Sequence, residues 1–137
     1  MIYAEINIGD TDYFEKTITE SDVCNFADVI GDFNPVHIDR QYAKNTRFGK
    51  CIAHGMLSGS LFSTVFGSKL PGEGSIYISQ TLSFIAPVYF GDTIKATVSV
   101  KEKLTHGRVK FSCTATNQNG DVVVEGEAVL IAPKNKP

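Results

Sequence analysis

The segment from Gly55 to Phe66 carries Met56, Leu57, Leu61, Phe62, Val65 and Phe66, with Ser58, Gly59, Ser60 and Ser63 between them and no charged residue. A surface helix keeps a charged face in water, and this one has none to present. It must be enclosed, and its small residues let neighbouring backbone approach closely. The uncharged stretch around it, Cys51 to Ser68, is interrupted by His54, serines and glycines, which makes a poor membrane span and a good buried helix.

The second half of the chain supplies the enclosure. Ser75–Ala86 sets Ile76, Ile78, Gln80, Leu82, Phe84 and Ala86 on one face. Thr93–Lys101 alternates Ile94, Ala96, Val98 and Val100 with polar residues, and Arg108–Thr116 does the same with Val109, Phe111, Cys113 and Ala115. A period of two with one polar face describes antiparallel strands wetted on one side. Pro87 and Gly91-Asp92 punctuate the first connection and His106-Gly107 the second; Asn119-Gly120 sets a tight hairpin before Asp121–Ala132. These hairpin-linked strands, with a shorter N-terminal one, need an apolar cover, and the charge-free helix provides it. The expected architecture is α+β, a curved antiparallel sheet wrapped around a central helix, forming one domain over residues 1–137.

Upstream, Thr19-Glu20-Ser21-Asp22 offers a near capping box, and Val23, Phe26, Ala27 and Ile30 follow as one apolar stripe. Gly31 suits the end of that helix, and Pro35 opposes its continuation. A short helix is expected to resume near Asp39 to Lys44. The charge of −2 and pI near 5.9 exclude the basic face that a nucleic-acid binder requires. Cys24, Cys51 and Cys113 are too few for a disulfide framework and fit a reducing compartment; Cys24 and Cys113 fall on apolar faces and are expected to be buried. No signal peptide is visible at Met1-Ile2-Tyr3-Ala4-Glu5, so a cytoplasmic protein without a membrane partner is expected. The Lys134-Asn135-Lys136-Pro137 end is expected to fray.

The chemistry concentrates in Gly31-Asp32-Phe33-Asn34-Pro35-Val36-His37. Asp32 and His37 are five positions apart, which does not stack them on a helix face. A turn locked by Pro35 aims both into one cleft instead, where a carboxylate beside an imidazole forms a general acid/base pair. Asn34 either holds a substrate oxygen or fixes the turn. The same residues are common turn formers, so the local pattern alone leaves a purely structural role open. Ala53-His54-Gly55 opens the buried helix, and a backbone N–H of Gly55 at a helix N-terminus suits a developing oxyanion. His54 either bonds backbone at the helix entrance or touches substrate. His37-x-Asp39 with His54 lacks a further close ligand pair, so no metal is expected. His106 reads as a surface residue, and Gly72-Glu73-Gly74 lies in the wrong context for a dinucleotide fingerprint.

This motif, with Ala43 after it, resembles the signature of MaoC-like (R)-specific enoyl-CoA hydratases and 3-hydroxyacyl thioester dehydratases. The likeness continues through Phe48-Gly49, Ala53-His54-Gly55-Met56-Leu57 and Pro87-Val88-Tyr89-Phe90-Gly91-Asp92-Thr93-Ile94, covering roughly Phe14 to Ala132. Ile30 departs from it, where a small polar residue is more usual. The resemblance implies a hot-dog fold and a homodimer with a thioester tunnel near the subunit interface. It also implies that Asp32 and His37 activate one water for syn addition across the C2–C3 bond, converting trans-2-enoyl-CoA to the (R)-3-hydroxyacyl-CoA. Gly55 would polarise the thioester carbonyl, with Asn34, His54 and Met56 binding substrate. No cofactor is implied; coenzyme A or acyl carrier protein belongs to the substrate. A 3-hydroxyacyl-[acyl-carrier-protein] dehydratase is the near alternative. An acyl-CoA thioesterase is the remoter one, since it must aim water at C1 rather than C3.

Overall fold

A computed structural model describes residues 1–135. After a 3-10 turn at Tyr3–Glu5, the chain forms β1 (Thr11–Thr17), α1 (Glu20–Ile30), α2 (Pro35–Ile38), α3 (Arg40–Lys44) and α4 (Gly55–Ser68). Then follow β2 (Ile76–Gln80), β3 (Ser83–Phe84), β4 (Thr93–Lys103), β5 (Arg108–Thr116) and β6 (Val122–Ile131). All pairings are antiparallel in the order β1-β4-β5-β6-β2, with β3 also on β6.

The sheet curls around α4, which packs on β1, β4, β5 and β6. Leu57, Leu61, Phe62, Val65 and Phe66 meet the inward faces of β4 and β5, where Ile94, Ala96, Val98, Val100, Val109, Phe111, Cys113 and Ala115 are all buried. The Phe66 ring stands edge-on to Phe111 at 4.9 Å. Fully buried side chains such as Phe62 each contribute about 2–3 kcal/mol of hydrophobic stabilisation, so this seam dominates the fold. The arrangement is the hot-dog fold that the sequence led one to expect.

The small residues of α4 are used as expected for close approach, but by side chains rather than backbone. A Cβ at Gly55 would sit 2.6 Å from the Phe84 ring, and one at Gly59 would sit 2.9 Å from Leu82. The entrance of α1 also matches. Thr19 Oγ1 accepts from the Asp22 amide and Asp22 Oδ2 accepts from the Thr19 amide, a reciprocal cap of about 1 kcal/mol.

Four expectations need correction. The 75–86 segment is not one strand hairpin-linked to β4; it breaks at Thr81-Leu82 and pairs with β6. At Gly126 of β6 a Cβ would lie 1.8 Å from the Thr81 carbonyl oxygen, so the connection crosses β6 where there is no side chain. Its apolar residues are not buried either. Ile76, Ile78 and Phe84 are 56%, 46% and 53% exposed, because β2 and β3 each have β6 as their one strand neighbour and lie at the sheet edge. On α1 only Val23 and Ala27 are buried; Ile30 is exposed, and Cys24, rotated off that line, is exposed as well. Finally, helix resumes earlier than Asp39: Pro35 starts α2, since proline is pre-shaped for the first helical position.

Among the described residues no helix is long and apolar enough to cross a membrane. Of the tail expected to fray, Lys136 and Pro137 lie outside the described residues.

Gly126→Ala is expected to destabilise the protein by about 3 kcal/mol, the upper range for overpacking, because backbone must move to admit the methyl. Denaturant unfolding should show a lower midpoint at unchanged slope. A midpoint equal to wild type would mean that the crossing at Thr81 is not as close as described.

Candidate active site

Gly31 ends α1 in the left-handed conformation, φ 77°, which turns the chain sharply and releases Asp32 from the helix. Asp32 Oδ1 then accepts from the Asn34 amide at 3.0 Å, and Asn34 Oδ1 accepts from the Val36 amide at 3.4 Å. These two local bonds shape the turn, and Pro35 opens α2, which carries His37. Asn34 therefore fixes the turn and caps α2, one of the two roles foreseen for it.

His37 is almost fully buried and its Nδ1 lies 2.7 Å from the Ile52 carbonyl oxygen. A carbonyl only accepts, so Nδ1 carries the proton and Nε2 presents its lone pair. His54, at the N-cap of α4, makes the opposite choice: its Nε2–H donates to the Asp32 carbonyl oxygen at 3.0 Å, leaving Nδ1 as acceptor. The two imidazoles stack, with centroids 3.9 Å apart and planes inclined by 26°. Phe26 closes the far side of His54, edge-on at 5.1 Å. Asp32, His37 and His54 thus form one cluster whose donor atoms all lie within 4.8 Å of one another.

Burial of the His37 imidazole holds its pKa below the ordinary value of 6.5. The bond to Ile52 opposes this, His54 adds to it, and the Asp32 charge opposes it again. The outcome is an imidazole more often neutral, and so more able to accept a proton, than a free one at the same pH.

Gly55 is the first residue of α4, so its amide has no acceptor within the helix. Gly55 and the half-exposed Met56 border a cavity of about 330 Å³ that also touches Arg47, Ile52, Ser58 and Phe84. A larger cavity of about 480 Å³ spans Glu20, Arg40, Lys44, Lys50, Cys51 and Phe90. It contains none of the turn residues, and its one carboxylate, Glu20, is bonded to Arg40 at 2.7 Å. The smaller cavity is not lined by Asp32, His37 or His54 either, but it holds Gly55, which follows His54 in the chain, and Ile52, whose carbonyl bonds His37. His106 is exposed in the β4–β5 turn, away from both.

Sequence reasoning did not find the Ile52 carbonyl, Ser58, Phe84 or Arg47. A main-chain acceptor leaves no side-chain signature, and Phe84 was placed on a strand face whose position the crossing at Gly126 changes. Ser58 did carry a signal, a hydroxyl on a helix with no charged residue; the side of α4 that the sheet leaves exposed carries Met56, Ser60 and Ser63 instead, so the helix is less fully enclosed than expected.

A sheet-wrapped helix with an Asp/His pair at its N-terminal end defines a hot-dog protein equipped for acid/base chemistry. A family model described as "MaoC like domain" matches residues 6–122, and the chain belongs to that family. It is 40% identical over 137 residues to a 3-hydroxybutyryl-CoA dehydratase of Methylorubrum extorquens, covering 99% of this chain and 87% of that protein. It is 43% identical over 131 residues to an (R)-specific enoyl-CoA hydratase of Rhodospirillum rubrum, covering 96% and 91%. The unliganded R-hydratase PhaJ1 structure from Pseudomonas aeruginosa superposes with a TM-score of 0.94 at 46% identity, covering 98% of this chain and 86% of that one.

The imidazole C–H resonances of His37, followed by NMR, should titrate with a midpoint below 6.5. Asp32→Asn should lower it further, because the carboxylate charge works against the effect of burial. A midpoint at or above 6.5 in the wild type would contradict burial as the controlling influence.

Proposed function

We propose that this chain catalyses reversible (R)-specific hydration of trans-2-enoyl-CoA thioesters, with Asp32 and His37 activating the water. The carrying observation is that Ile52 fixes the His37 tautomer, leaving Nε2 to accept in the same cluster as the Asp32 carboxylate, where the ligating atoms of Asp32, His37 and His54 lie within 4.8 Å of one another. A water donating one hydrogen to Nε2 of His37 and one to the carboxylate keeps an oxygen lone pair for C3. As the C3–O bond forms, one O–H bond breaks toward an acceptor and the C2–C3 π electrons move onto C1 and its oxygen. The same side of the site then returns the proton to C2, so both new bonds form on one face. Gly55 N–H stabilises the charge on the thioester oxygen, and its missing side chain leaves room for Phe84.

Met56 contributes a substrate contact at the cavity. Asn34 and His54 bind substrate with the faces that their bonds to Val36 and Asp32 leave free. The relatives' names supply the (R) sense and the CoA carrier. Dehydration of an acyl-carrier-protein thioester is the same reaction reversed on another carrier. We read residues 1–137 as one domain working in the cytoplasm, in keeping with the free thiols of Cys24, Cys51 and Cys113.

The test is crotonyl-CoA and longer 2-enoyl-CoAs, followed by loss of enoyl-thioester absorbance with free thiol monitored in parallel. Asp32→Asn and His37→Gln are each expected to lower kcat by about 100-fold or more with unchanged circular dichroism. The double variant should be little worse than the poorer single one. Thiol release matching enoyl loss would hand the chain to the thioesterase reading.

A homodimer completes the proposal. Ile76, Tyr77 and Ile78 on the β2 edge, with Phe84 and Ile85 beyond it, stay exposed, an apolar edge that a second copy covers across a two-fold axis. Light scattering should give twice 14.9 kDa, and Ile78→Lys should halve the measured mass. A wild-type mass of a single chain at micromolar concentration would overturn the dimer.

A further inference from the structure

Two polar atoms next to the acid/base cluster are buried and have no hydrogen-bond partner: His54 Nδ1 and Ser58 Oγ. Their residues are 3% and 0% exposed, so bulk water does not satisfy them. Buried polar groups of this kind are paired in native proteins, with protein or with an enclosed water. Their positions make a shared partner natural. His54 is the N-cap of α4 and Ser58 is one turn on, along the same face; side chains in helices lean toward the N-terminus, which tilts Ser58 back over the helix entrance.

The hydrogen-bonding characters are complementary. With Nε2–H donating to Asp32, the neutral His54 ring can only accept at Nδ1. A serine hydroxyl both donates and accepts. The amide of Met56, in the first turn of α4, also lacks an intrahelical acceptor and is not the one given to the thioester. A water molecule here would donate to Nδ1, exchange a bond with Ser58 Oγ and accept from an amide, the usual complement for an enclosed water. Ser58 also borders the cavity of about 330 Å³, through which such a water reaches the site.

We propose that one enclosed water bridges Ser58 Oγ and His54 Nδ1, and that Ser58 thereby acts as a positioning residue for the Asp32/His37 pair. With both nitrogens held, the His54 ring cannot swing about its Cβ–Cγ bond. Its Nε2–H stays on the Asp32 carbonyl, which locates the carboxylate, and its face stays against His37 at 3.9 Å. Loss of Ser58 frees one end of the ring, and the misplacement reaches the reacting water through Asp32. This role rests on the hydratase reading for its catalytic consequence, but the hydrogen bond itself can be read without turnover.

The experiment combines a high-resolution crystal structure, nitrogen NMR of 15N-histidine-labelled protein and kinetics on crotonyl-CoA. His37, His54 and His106 are the only three histidines, so the resonances are assigned by single substitutions. In the wild type, we expect electron density for a water within hydrogen-bond distance of both atoms, with His54 protonated at Nε2 and hydrogen-bonded at a bare Nδ1. Ser58→Ala, and Ser58→Cys as a variant that keeps the volume filled with only a weak donor, should both move Nδ1 toward an unbonded position. Both should lower kcat by about 10- to 100-fold with KM within about two-fold. A site with no water, or Ser58→Ala with wild-type Nδ1 resonance and kcat, overturns the proposal. If the wild type turns over no 2-enoyl thioester, the hydratase reading fails, while the water and the Nδ1 resonance still decide the role of Ser58.

Discussion

Because α4 offers no charge to water, its enclosure by β1, β4, β5 and β6 sets the position of everything attached to its first turn. Its N-terminus cannot migrate without uncovering Leu57, Leu61 and Phe62, so Gly55 and His54 are held as firmly as the core itself. From His54 a single hydrogen bond reaches the Asp32 carbonyl, and from Ile52, just before the helix, another reaches His37. The turn is thereby fastened at two points to the segment that leads into α4. Fixed geometry is what acid/base groups require, and here it is borrowed from hydrophobic burial.

Much of this was legible in the sequence, and the reasons are specific. The uninterrupted apolar character of Gly55–Phe66 and the period-two runs of β4 and β5 both survive translation into structure because each is a whole-element pattern. The capping box at Thr19 and the turn at Gly31 are local and equally secure. The strand after α4 was misread because its alternation is genuine while its partner is remote. Only the glycine at position 126, far along the chain, lets the backbone at Thr81 cross, and nothing within 75–86 announces that. The exposure of Cys24 and Ile30 has a similar origin: a stripe in sequence says which side of a helix is apolar, not how wide a neighbour will cover it.

At the site, side chains were readable and backbone contacts were not. Asp32, His37 and Gly55 stand out by residue type and by spacing. The Ile52 carbonyl does as much to define the chemistry, since it selects which imidazole nitrogen is left to accept, yet any residue would provide it. His54, left between a structural and a binding role, turns out to bond backbone at the helix entrance. The atom it bonds belongs to Asp32, so the structural role lies within the cluster and not beside it.

The stacked rings of His37 and His54 have a further consequence. At 3.9 Å in a dry setting, two imidazolium ions would repel strongly, and the proximity of His54 already disfavours charge on His37. The neighbouring ring thus acts in the same direction as burial, and both weigh against charge on His37. What one histidine gives the other is a flat, apolar face in place of water, so the stack keeps His37 in the form that accepts a proton.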